Sequence, residues 1–250
     1  MKKVLVTGAS GVIGTAVLNR LAGKFDLRVL DRREVEGFES LCLDVSDLEA
    51  IRPAFDGVDM VVHLAGEIHS DWPGYLASNV MGTYHVFEAA HQAGVKRVIF
   101  ASSGSVTTGW EREKPYSDLV EGRYGEVGQE WEKVTHKTLP RPAGLYGCTK
   151  LWGEALARHY TDSTDLSVIC LRIGGVSAQD RPLTTRHYSV WCSQNDIARM
   201  VETCLDAPDD LKYEIFYVVS DNKWAYRDMA HAREVLGFEP EGRAEDFRCD

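Results

Sequence analysis

The sequence predicts an α/β fold: a doubly wound parallel sheet with helices on both faces and a small C-terminal substrate-binding portion. Three observations predict it. Short β-rich apolar runs alternate with helix-spaced segments over the first 100 residues, and the rhythm resumes at Tyr146. The strand candidates are apolar throughout, as strands buried on both faces of a parallel sheet must be. The 250 residues contain no internal repeat and no linker-like tract, which fits one domain over 1–250.

The elements follow in order. Val4-Leu5-Val6 is the first strand and ends in a glycine loop, after which residues 13–21 carry helical spacing. Residues 27–30 form the next strand. Residues 46–55 read as a short helix with Ser46 as N-cap ahead of Leu48. Residues 60–64 are a buried strand, 75–93 a long helix and 97–101 another strand. Residues 110–140 break the rhythm: they are charged, punctuated by Gly and Pro, and without a clear period. They are expected to be an inserted loop near the active site, covering the substrate or shaping a dimer contact. Beyond Tyr146 come strands at 166–171 and 215–219 and a helix at 195–205, with 174–250 contributing to substrate binding.

Composition narrows the class. Hydrophobic residues at 44% and charged residues at 26% are ordinary for a globular chain, and no apolar run is long enough to cross a bilayer. Met1-Lys2-Lys3 resembles the start of a signal peptide, but Thr7 and Gly8 interrupt the apolar stretch at once, so it reads as the first core strand. A net charge of −10 repels phosphate backbones and anionic lipids, so neither nucleic acid nor membrane is the expected partner. The six cysteines show no C-x-x-C and no pairing rhythm, which implies a reducing, cytoplasmic setting. His63, His69 and His187 have no metal-ligand spacing, and His63 reads as a core or cofactor-loop histidine.

The chemistry begins at Thr7-Gly8-Ala9-Ser10-Gly11-Val12-Ile13-Gly14. Gly8 makes the turn off the strand and Gly11 lets a pyrophosphate approach. Gly14 allows close helix–sheet packing, and the helix start at Val12 and Ile13 offers free N–H groups. Asp31 closes the second strand about 20 residues on, where a carboxylate can accept from both ribose hydroxyls and disfavour a 2′-phosphate. That favours NAD, although Arg32 and Arg33 could stack on adenine or hold a 2′-phosphate. Asp44 and Val45 could frame the adenine or simply form a turn.

Tyr146 and Lys150 stand at i and i+4, so they project from one helix face. A phenol titrates near 10, and a neighbouring ammonium and a nicotinium charge would bring it towards working pH as a general base. Ser103 follows a core strand, where a hydroxyl points into the ligand crevice and can hold the substrate oxygen; Ser102 and Ser105 compete for that role.

Taken together, Thr-Gly-x-x-Gly-x-x-Gly, Asp31, His63-Leu64-Ala65-Gly66, Asn79-Val80-x-Gly82-Thr83, the serine cluster and Tyr-x-x-x-Lys resemble the extended short-chain dehydrogenase/reductase superfamily, in its NAD-dependent epimerase/dehydratase group. The resemblance covers residues 3 to about 205. It implies a Rossmann core, a catalytic Ser103–Tyr146–Lys150 set and NAD contacts that include Leu64, Ala65, Gly66, Asn79 and Ile173. It also implies homodimers through the helices near 75–93 and 146–160.

Within the group the chain is similar to uronate dehydrogenases and related sugar 1-dehydrogenases, through Leu171-Arg172-Ile173-Gly174, Trp191-Cys192-Ser193-Gln194-Asn195-Asp196 and Leu236-Gly237-Phe238-Glu239-Pro240. That resemblance assigns Arg186 to the substrate carboxylate. It departs at Gly104 and Ser105, where polar substrate contacts are expected, and at Val12 and Ile68. The expected activity is hydride transfer from a hydroxyl or hemiacetal of a small polar substrate, a sugar or sugar acid, to NAD. The alternatives are a nucleotide-sugar epimerase or dehydratase with tightly held NAD, and a non-catalytic dinucleotide-binding protein.

Overall fold

The computed structural model describes residues 1–248; Cys249, counted above among the unpaired cysteines, lies outside them. Seven strands form one sheet: β1 (Lys3–Thr7), β2 (Asp26–Asp31), β3 (Ser40–Cys42), β4 (Met60–His63), β5 (Arg97–Ser103), β6 (Ser167–Ile173) and β7 (Tyr213–Val218). Their order is β3-β2-β1-β4-β5-β6-β7, and every pair is parallel. The chain winds outward from β1 to β3, then crosses back to β4 and runs the other way. A crevice therefore opens at the carboxyl ends of β1 and β4, where doubly wound sheets bind dinucleotides.

Side-chain alternation along the strands divides the core in two. Val4 and Val6 of β1 join the cluster under α1 (Val12–Leu21), while Leu5 joins the opposite one. The second face is covered by α2 (Leu48–Ile51), α4 (Gly82–Gln92) and α6 (Leu145–Ser163), with α3 (Trp72–Gly74) leading into α4. The cap of α2 is Asp47 rather than Ser46: its carboxylate accepts from the Ala50 N–H at 3.1 Å, while the Ser46 N–H turns back to Asp44 at 2.8 Å. The helix expected over 75–93 starts earlier, where Asp71 caps α3 and Pro73 sits in its first turn. It then widens into π-helical turns over Tyr75–Met81 before α4.

Residues 110–140 are not a free loop. A 3₁₀ stretch (Gly104–Arg112) leads to α5 (Tyr116–Val120), and both Leu119 and Val134 are buried. The segment pairs with the C-terminal portion, which holds α7 (His187–Val190), α8 (Gln194–Leu205) and α9 (Ala230–Leu236). The Val134 N–H donates to Tyr226 at 2.8 Å, Val134 accepts from the Asp228 N–H at 3.0 Å, and the Trp131 indole donates to Ala225 at 3.2 Å. Packing against 225–228 thus fastens the insertion to the C-terminal portion.

A buried ion pair ties α6 to the sheet. Arg172 on β6 donates to both carboxylate oxygens of Glu154, at 2.9 and 2.8 Å, and the Ser102 hydroxyl donates to the same group at 2.6 Å. Burial penalises the Arg172 charge, but the Glu154 carboxylate more than offsets this and raises the guanidinium's pKa. Replacing Glu154 with Leu strands that cation in the core. The expected loss is about 3–5 kcal/mol, read as a lower denaturant midpoint; an unchanged midpoint would show the pair to be dispensable.

Candidate active site

The crevice at the sheet's carboxyl edge is a cleft of about 650 Å³. Its floor is the loop after β1. Gly8 adopts φ +69°, and a Cβ there would lie 2.5 Å from the Ala65 nitrogen. A Cβ on Gly14 would lie 2.5 Å from the Ala9 carbonyl oxygen, so α1 can approach the loop only with glycine there. Helix α1 starts at Gly11 with no side-chain cap and no acid in its first turn. Its free N–H groups and positive dipole end suit a pyrophosphate.

Asp31 ends β2 at the rim of this loop. Its Oδ2 accepts from the Ser10 N–H at 2.9 Å and its Oδ1 from the Ser10 hydroxyl at 3.0 Å, so one carboxylate both shapes the loop and faces the cleft. Arg32 pairs with Glu67 at 2.8 Å, while Arg33 donates to the Ser10 hydroxyl at 3.0 Å. Asp44, Val45, Leu64, Ala65, Gly66 and Ile173 line the cleft with them. The residues present therefore fit a dinucleotide along the switch point.

Asn79 does not line the cleft. Its amide accepts from the Glu67 N–H at 2.7 Å and donates to the Glu67 carbonyl at 2.9 Å and the Thr149 hydroxyl at 3.1 Å. Thus it ties the loop after β4 to α6. His63 is a core residue as expected. It is bonded to Thr7 at 2.8 Å, and burial, helped by Lys150, lowers its pKa to about 3, so it stays neutral.

Ser103, Tyr146 and Lys150 meet on the other side of the cleft. The Ser102 hydroxyl is taken by Glu154, while Ser103 and Ser105 both line the cleft, and Ser103 is the one beside Tyr146. Ser103 Oγ accepts from the Ser105 N–H at 3.1 Å, so its own hydrogen is free to be donated. Burial raises the Tyr146 pKa, and the Ser103 hydroxyl beside it pulls the other way. Tyr75 adds to the rise, and the Lys150 ammonium stands 5.8 Å from the phenol ring centroid. Burial also pushes Lys150 itself down to about 8.

At the far end stands Arg186, gripped by a residue that sequence reasoning missed. It donates Nε to Glu111 Oε2 at 2.8 Å and Nη2 to Oε1 at 2.6 Å. Tyr226 donates to the same carboxylate, and burial, which alone would raise the Glu111 pKa, is overcome by the arginines. Gly104 does not line the cleft either: the Arg227 guanidinium lies across the space a side chain there would fill. Nothing in the sequence around Glu111 or Arg227 marks either position: Arg227 reaches the cleft from the C-terminal portion, and Glu111 meets it only through Arg186.

Residues 4–193 match the family described as NAD dependent epimerase/dehydratase. The chain belongs to that family. Among its relatives, an NAD-dependent glucose-6-phosphate dehydrogenase of Haloferax volcanii is 36% identical, over 98% of this chain and 95% of its own. A uronate dehydrogenase of Pseudomonas putida is 31% identical over 99% and 87%. A solved mutant of the Agrobacterium tumefaciens uronate dehydrogenase, complexed with NAD, superposes with a TM-score of 0.82 at 29% identity, over 99% of this chain and 88% of that one. This member of the epimerase/dehydratase family thus shares nearly its whole length with sugar and sugar-acid dehydrogenases.

Proposed function

We propose that the protein is an NAD-dependent dehydrogenase that oxidises the hydroxyl or hemiacetal carbon of a sugar or sugar acid. The observation that carries this reading is the meeting of Ser103, Tyr146 and Lys150 beside a glycine loop fitted to a dinucleotide. Family membership adds the NAD dependence, and the named substrates of the relatives, a sugar phosphate and a uronate, give the class. Asp31 at the rim favours NAD over NADP by like-charge repulsion of a 2′-phosphate.

Bound NAD⁺ supplies the hydride acceptor and a cationic ring. Ser103 donates a hydrogen bond to the substrate hydroxyl oxygen and aims it at Tyr146. Tyr146, as phenolate, takes the hydroxyl proton as the carbon–hydrogen bond breaks. Lys150 holds the nicotinamide ribose and stabilises the phenolate from the next helical turn. The cofactor roles of the cleft residues named above are part of this proposal, whereas Arg186 lines the cleft with its charge already met by Glu111.

The reading extends to a cytoplasmic homodimer. Leu76, Met81 and Tyr84 before and within α4, and Leu145 and Trp152 on α6, are exposed apolar residues on the helices that the resemblance assigns to the dimer contact. Cys42, Cys148, Cys170, Cys192 and Cys204 are free, in keeping with a reducing compartment. Among the described residues no helix is long and apolar enough to cross a membrane.

The test follows the absorbance of reduced nicotinamide with purified protein, NAD⁺ or NADP⁺, and separate aldoses, uronates, sugar phosphates and UDP-sugars. We expect NAD⁺ reduction by a free sugar, sugar phosphate or uronate. A UDP-sugar isomerised without net NADH would overturn the reading in favour of an epimerase.

A further inference from the structure

We propose that Arg227 recognises an oxyanion carried by the substrate, a phosphate or a carboxylate, next to Ser103. This rests on the dehydrogenase reading and gives it a substrate class. Arg227 lines the same cleft as Ser103, Ser105, Arg186 and His187, yet its side chain is only 2% exposed. Among the described residues its Nε has no hydrogen-bond partner. The Glu111 carboxylate approaches its Nη2 no closer than 3.9 Å, beyond hydrogen-bond reach.

Such a group is costly to leave as it stands. A guanidinium does not deprotonate in a protein, and unpaired buried donors of a charged group oppose folding. The fold nevertheless holds it in place. A Cβ on Gly104 would lie 2.1 Å from the Arg227 Cζ, so the glycine after Ser103 is what admits the guanidinium. The rings of Tyr226 and Tyr217 stand 5.4 and 6.0 Å from it, and the Val134 pairing fixes its backbone. The polar contacts missing at position 104 are thus replaced by a cation arriving from the C-terminal portion.

Charge count separates the two arginines. Arg186 is already matched in two hydrogen bonds by Glu111, so the Arg186–Glu111–Arg227 trio carries one net positive charge, on Arg227. A planar fork with unused donors is the shape that takes two oxygens of a carboxylate or phosphate. Arg186, held by Glu111, then lines the cleft beside the anion, and Arg227 makes the contact.

The experiment compares kcat/KM for D-glucose 6-phosphate, D-glucuronate and D-glucose with NAD⁺, in the unaltered protein and in Arg227→Met and Gly104→Ala. We expect one of the two anionic sugars to exceed glucose by about 100-fold, on the scale of one desolvated charged contact. Which of them does so distinguishes phosphate from carboxylate. Arg227→Met should cut that anionic-to-neutral ratio at least tenfold, mainly through KM. Gly104→Ala, whose methyl displaces the guanidinium while keeping its charge, should move the ratio the same way, and it carries the test if Arg227→Met does not fold. Equal losses for charged and neutral sugars, or an unchanged ratio in both variants, would overturn the proposal and leave Arg227 a packing residue. If no sugar is turned over by the unaltered protein, the dehydrogenase reading fails instead. Calorimetric binding of glucose 6-phosphate and glucuronate, weakened or not by Arg227→Met, then decides on Arg227.

Discussion

Replacing Tyr146 with Phe is expected to lower kcat by about 10³- to 10⁴-fold, near the top of the range for losing a general base. Among the described residues, the phenol is the acid–base group of the cleft that stands one helical turn from Lys150 and beside Ser103. The ring remains, so its packing near Tyr75 is kept. NAD⁺ affinity, followed by fluorescence titration, should change by less than about tenfold, the most that one neutral hydrogen bond is worth. Because burial raises the phenol's pKa, oxidation in the unaltered protein should quicken as pH rises through the alkaline range. That limb should vanish in the variant. Undiminished turnover, or an unaltered pH profile, would place the proton transfer elsewhere.

The second large effect concerns Lys150 and has two opposite signs. Its pKa falls from 10.5 to about 8 on folding, because burial disfavours the charge. Between those values the unfolded chain binds more protons than the folded one, so this group makes stability rise with pH across that window. Below pH 8 its full cost is present, on the order of 3 kcal/mol at 1.36 kcal/mol per pKa unit. Lys150→Met keeps an unbranched side chain beside Phe100 and removes the cost. Thermal unfolding at neutral pH should therefore shift upward by roughly 5–10 °C, and the advantage should shrink as pH climbs from 8 to 10.5. Turnover should fall at least about 100-fold, since the phenolate loses its cation. A melting temperature at or below that of the unaltered protein would show that the ammonium is not held at a cost.

What the sequence disclosed and what it hid divide along one physical line. The glycine loop, Asp31, Ser103 and the Tyr146–Lys150 pair were legible because each is a local device: a turn needing φ above zero, a strand end, a helical spacing. Six strands were legible because burial leaves apolar runs, and their bounds shifted by only a residue or two; β3, a short and partly exposed edge strand, leaves no such run. The cap moved from Ser46 to Asp47 because two adjacent polar residues compete, and only backbone direction decides which one meets the Ala50 N–H. Asn79 was legible as a residue of the motif, but its hydrogen bonds to Glu67 and Thr149, from elements distant in the chain, were not. Arg186 was found without its partner. Glu111 and Arg227 were invisible, because only the pairing of an aperiodic segment with a distant strip brings Arg227 into the cleft and Glu111 against Arg186.

That pairing sets an order of assembly. Strands β3-β2-β1-β4, which cradle the dinucleotide loop, are complete by His63, and Tyr146 and Lys150 follow. Arg227, the contact assigned to the substrate's charge, comes near the end of the chain. A ribosome working from the amino end therefore releases the nucleotide half first and the selective half last. A product truncated before residue 225 would lose both Arg227 and the strip on which Val134 and Trp131 rest, so the missing tail would unfasten the insertion as well as blunt substrate choice.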